Sequence, residues 1–150
     1  TVVAFDPRYD QEEKIYTPSG MILRTARELH LSDHKLFIGL THHGDVIQEL
    51  KSYITPGALI ADDTHPSISL PVRTALAANH IKVMKIVLTH EAFSTWPRMP
   101  AWSNRDIPGC LVEALVLLEQ DSVSMEALEP FSETAVSIGF HGKLAPPVDD

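Results

Sequence analysis

The chain has 150 residues, 44% of them hydrophobic and 21% charged, enough for one domain with a real core. Twelve Lys and Arg against 20 Asp and Glu give a net charge of −8, which excludes the basic face that nucleic acids or anionic membranes require. No apolar run is long enough to span a bilayer, and the single cysteine excludes an intramolecular disulfide or a Cys-only zinc site. No secretory leader opens the chain, so a reducing, cytoplasmic location is expected. Thr1 stands where Met would start a protein, and a strand follows at once, so further sequence is expected upstream.

Taken in order, Thr1–Phe5 reads as a strand ending at Asp6-Pro7. Pro18–His30 reads as a helix, with Met21, Ile22, Ala26 and Leu29 on one face, Thr17 as N-cap and Pro18 in the first turn. Lys35–Thr41 is a continuous apolar strand, Asp45–Tyr53 a short helix, and Ala58–Ala61 a buried strand. Pro71–Asn79 is helical, Ile81–Leu88 a fourth strand, and Met99–Asn104 irregular. Ile107–Gln120 and Met125–Ser137 are the last two helices. A domain over residues 1–143 and a flexible tail over 144–150 follow.

Strands alternating with helices, each strand almost continuously apolar, predict an α/β fold. The sheet is expected to be parallel and Rossmann-like, with helices on both faces, ending in two helices. Ligands of such sheets bind beyond the carboxyl ends of the strands. The candidates there are Asp6 and Arg8, then Thr41, His42 and His43, then Asp62, Asp63, Thr64 and His65, then His90 and Glu91. No strand is followed by G-x-G-x-x-G, so the first, phosphate-gripping βα unit is missing from the pattern. Thr1–Asp6 would then be the second strand, with Asp6 or Arg8 reading the ribose or its 2′-phosphate. Asp-Pro at a strand end is also a common turn.

Cys110 is the one sulfur nucleophile. Asp106 as N-cap and Pro108 in the first turn place it at the start of the Ile107–Gln120 helix. Unpaired N–H groups and the positive end of the dipole stabilise a thiolate there, the form that attacks thioesters. Gly109 leaves room for a substrate. Glu113, three residues on, shares the helical face. As the lone charge in an apolar stretch it is expected to be partly buried, with a raised pKa suited to proton exchange. The plainer alternative is a cysteine that only packs.

The segment from Gly109-Cys110-Leu111-Val112-Glu113 to Glu119 resembles the cysteine helix of the long-chain acyl-(acyl carrier protein) reductases, the fatty-aldehyde-forming enzymes. Met125-Glu126-Ala127-Leu128 through Ser137-Ile138-Gly139-Phe140 resembles that family's final helix and closing Gly-Phe. Ala58–Pro66 resembles its strand ending in an acid, small residues and a proline. The resemblance implies a Rossmann domain distantly related to shikimate-type dehydrogenases, with NADP (or NAD) as cofactor. It also implies an acyl thioester or acyl carrier protein as partner, and Cys110 as the residue that takes the acyl group. Catalytic candidates are then Cys110, Glu113 and His90, with His42 or His65 able to replace His90 as acid to the carbonyl oxygen. Cofactor-binding candidates are Asp6, Arg8, Thr41, His42 and Asp62.

Two other function classes compete. His42, His65 and His90, with Asp62, Asp63 and Glu91, would make a metal-dependent hydrolase if they converged, although no spacing matches a metal motif. A non-catalytic binding or dimerisation module would use the last two helices, because Ile107–Leu118 is apolar nearly all round; a homo-oligomer is expected on this ground. Trp96, Met99 and Trp102 are expected to anchor the loop before Cys110.

Overall fold

A computed structural model describes residues 1–18, 20–97, 102–119 and 128–148. The fold is α/β. Its strands are β1 (Val2–Phe5), β2 (Glu13–Thr17), β3 (Gly20–Thr25), β4 (Leu36–Gly39), β5 (Leu59–Asp62), β6 (Lys82–Thr89) and β7 (His141–Ala145). Its helices are α1 (Ile47–Leu50), α2 (Leu70–Ala77), α3 (Gly109–Glu119) and α4 (Leu128–Ser137). One sheet is three-stranded, in the order β1-β3-β2, and the other four-stranded, in the order β4-β5-β6-β7. The chain divides into two compact units, Thr1–Ile60 with Thr64–Val83, and Ala61–Asp63 with Met84–Asp150.

In the first unit, the expected helix over Pro18–His30 is instead strand β3 and a 3₁₀ turn over Glu28–Asp33. Glu13-Lys-Ile-Tyr-Thr17 is rich in strand formers and supplies β3 with an antiparallel partner. Gly20, at φ +140°, takes the backbone at a value that favours glycine and no helix contains. Thr17 Oγ1 closes the turn by donating to the Gly20 carbonyl at 3.0 Å. Leu23 and Thr25 are buried while Arg24 points out to Glu13, 3.3 Å away. That period of two overrides the helical spacing of Met21, Ile22, Ala26 and Leu29. β1 runs parallel to β3 in this separate sheet, so it is not the second strand of the main parallel sheet.

The rest of the unit has the expected strand–helix alternation. Leu59 N–H donates to the Lys35 carbonyl at 2.8 Å and Lys82 N–H to the Ala58 carbonyl at 2.9 Å. Both bonds join the starts of neighbouring strands, as in a parallel ladder. One face of these strands carries Phe37, Ala58, Ile60, Ile81 and Val83, which pack with Ile47, Ile54, Ile68, Val72 and Leu76 into one core. Full burial of a side chain such as Ile60 or Leu76 contributes about 1.5–3 kcal/mol. On β4 the opposite side chains, Leu36 and Ile38, are exposed, as is Leu40 just beyond the strand.

The loops after β4 and β5 lock together at Gly44. Its N–H donates to the Pro66 carbonyl at 2.9 Å, and a Cβ there would stand 2.3 Å from the Ile68 backbone nitrogen. Asp45 Oδ1 accepts the Ser69 N–H at 2.8 Å, so a carboxylate from one loop satisfies the N-terminus of α2 on the other.

In the second unit, β7 pairs antiparallel with β6, from Thr89 opposite His141 to Lys85 opposite Ala145. The chain therefore does not end its structure in two helices, and Leu144 and Ala145 belong to a strand rather than to a tail. The end of α4 is set by Gly139 at φ +93°, with Phe140 N–H donating to the Ala135 carbonyl at 3.0 Å, a left-handed glycine cap. Ile107 exchanges backbone bonds with Leu88 at 2.8 and 3.1 Å. It joins Val112, Val116 and Phe140 in a second core, flanked by Leu88, Leu115, Ala135 and Ile138. Among the described residues, no helix is long and apolar enough to cross a membrane.

Candidate functional site

Cys110 is the second residue of α3 and is exposed. The Pro108 carbonyl receives the Leu111 and Val112 N–H groups at 3.1 and 3.3 Å, so Pro108 opens the first turn. Around Gly109 the space is open: nothing lies within 4 Å of where a Cβ would be. The thiol therefore stands on the dipole-positive turn of an 11-residue helix with access from solvent.

Three expectations around it are corrected. Glu113 is exposed, not partly buried. α3 buries Val112 and Val116, with Leu115 partly covered against the same core, while Leu111, Leu117 and Leu118 are exposed, so a charge at 113 escapes the core. Asp106 is buried, but its carboxylate accepts the Ser103 N–H at 3.2 Å and pairs with Lys143 at 3.5 Å. It ties the preceding loop to β7. The loop is anchored by Trp102, 6% exposed, while Trp96 is 90% exposed; Met99 lies outside the described residues.

His90 is committed on both ring nitrogens. Nδ1 accepts the Ala92 N–H at 3.0 Å and Nε2 lies 2.9 Å from the Ile138 carbonyl. An amide N–H only donates and a carbonyl only accepts, so the proton sits on Nε2. The ring also packs against Phe140, with centroids 5.0 Å apart. A histidine held this way shapes a turn and has no nitrogen to offer a substrate oxygen.

The cofactor candidates divide. Asp6 and Arg8 close on each other: Arg8 Nη2 donates to Asp6 Oδ2 at 2.6 Å, Nε to Oδ1 at 2.9 Å, and the Arg8 backbone N–H to Oδ1 at 2.9 Å. The Arg8 guanidinium and then its backbone N–H hold the Asp6 carboxyl at about 2, below its usual 3.8. Both residues follow β1, in the separate sheet. Thr41 Oγ1 donates to the His43 carbonyl at 2.8 Å, and His42 is exposed beside it. Asp62 is buried at the end of β5.

Two clusters escaped the sequence reading. Glu12 Oε2 accepts from Thr25 Oγ1 at 3.2 Å and meets His30 Nε2 at 2.9 Å. Burial pushes the Glu12 carboxyl up, but the bonds from His30 and Thr25 and the charges of His30 and Arg27 outweigh it, and the net shift is downward. Nothing in residue spacing announces this cluster, because a hairpin creates it. Lys85 is 4% exposed, with Nζ 3.6 Å from the centre of the Trp102 ring. The available signal was a second lysine in the apolar run Ile81–Leu88, three residues after the exposed Lys82 and in the middle of the strand.

Among the described residues, no group of three His, Cys, Asp or Glu side chains is placed to hold a metal ion. Comparison of the chain with protein-family models, with curated proteins and with solved structures finds no match.

Proposed function

We propose that this chain handles acyl thioesters through Cys110. The observation that carries the reading is an exposed thiol on the opening turn of α3, beside an unobstructed glycine. Cys110 Sγ attacks the thioester carbonyl, the new S–C bond replaces the bond to the leaving sulfur, and the acyl group remains on Cys110. Backbone N–H groups of the helix start steady the developing oxyanion. The proton lost by the thiol passes to the leaving thiolate, with Glu113, one turn along, as its carrier.

Onward reduction of that acyl group to an aldehyde would need a hydride, which NAD(P)H would supply. Asp6 and Arg8 do not fit the ribose of that nucleotide, because each already satisfies the other and both sit on the three-stranded sheet. The steps derived from this chain's residues therefore end at the acyl-enzyme. Intact-mass measurement after mixing with an acyl-CoA is expected to show one acyl adduct, lost in Cys110→Ser. A thiol inert to both acyl-CoA and iodoacetamide would overturn the reading.

A second reading, an interaction module that forms a homo-oligomer, draws on the outer face of α3. Leu111, Leu117 and Leu118 are exposed there, Leu118 at 83%. Small residues, Cys110 and Ala114, share that outward side, so large side chains of one copy would meet small ones of another in antiparallel packing.

A further inference from the structure

We propose that His90 is a proton-sensitive latch that holds the turn at the end of β6. The ring receives a donor on Nδ1, from the Ala92 N–H at 3.0 Å, and donates from Nε2 to the Ile138 carbonyl at 2.9 Å. This pattern exists only in neutral imidazole. A second proton must go to Nδ1, where it meets another N–H, and the Ala92 bond is lost. The Ile138 bond survives, because Nε2 remains a donor.

The ring cannot turn aside to relieve the clash. A Cβ on Gly139 would lie 2.6 Å from Nε2, so the glycine backbone is pressed against one side of the ring. Phe140 packs beside it with the two ring planes at 54°. The side that gives is the turn itself, with Ala92 and then Phe93, whose ring meets Phe140 edge-on at 6.2 Å.

Among the described residues, the titratable neighbours are few. Glu91 follows His90 in the chain and His141 follows Phe140; both are exposed. Lys143, further along β7, pairs with Asp106. The nearest element on each side is thus backbone or an aromatic ring, and the proton count at His90 decides the turn.

The test is an NMR titration of the whole labelled chain from about pH 8 to about pH 5. The Ala92 amide is expected to lose its hydrogen-bonded shift, with exchange protection falling about fivefold, as the loss of one hydrogen bond implies. The midpoint should equal that of the His90 ring, while the amides of Ile60 and Leu76 stay unchanged. His90→Asn is the matched control: its side-chain oxygen can still accept from the residue two positions on but does not titrate, so protection at Ala92 should be flat. An Ala92 amide indifferent to protonation of His90, a His90 that stays neutral throughout, or the same pH step in His90→Asn would each overturn the proposal.

Discussion

At Gly139 two demands meet in one residue. The backbone is at φ +93°, and the space where a side chain would begin is taken by the His90 ring. Gly139→Ala is expected to cost about 1–3 kcal/mol from the backbone strain, plus the displacement of His90, measured by chemical denaturation. Adding His90→Ala should return only the part due to the ring. At Asp6 the argument is electrostatic. Its carboxyl titrates near 2 when folded against an ordinary 3.8, so its contribution is present above that ordinary value and is lost as pH falls toward 2. Asp6→Asn is expected to flatten the stability profile in this window in an acid titration followed by circular dichroism, by lowering stability slightly at neutral pH, as for an exposed pair, and not at pH near 2.

At the level of elements, α3 explains why an apolar composition misleads. Ile107–Leu118 reads as apolar nearly all round and so as buried on more than one side, yet a helix on a single core buries one stripe. Here the stripe is Val112 and Val116, with Leu115 partly covered. Leu118→Glu is therefore expected to leave stability within about 0.5 kcal/mol. It should shift any self-association seen by gel filtration toward the single chain. Val116→Ala is expected to cost about 2–3 kcal/mol in the same denaturation assay, somewhat less than the usual range for larger side chains. The β1–β3 region was misread for a related reason. Four apolar residues at helical spacing outweighed the alternation of Leu23, Arg24 and Thr25, because the pairing partner of a strand lies elsewhere in the chain. Strands β4, β5 and β6 were legible because each is short, apolar and bounded by turn residues.

Across the whole molecule, the two cores share no residue among the described ones. Leu76→Ala and Val116→Ala are expected to add within about 0.5 kcal/mol when combined, which double-mutant denaturation checks. A larger coupling would show that the cores respond as one.

Composition and order by themselves determined the α/β class, most strands and helices, and the place of Cys110 on an opening helical turn. These depend on local period, capping and turn chemistry, which neighbouring residues carry. Only the tertiary structure decided that Asp106 pairs with Lys143, that His90 reaches the Ile138 carbonyl, and that Glu113 faces solvent. Each of those outcomes depends on which groups compete for a polar side chain once the chain has folded, and a polar atom takes the nearest partner that satisfies it.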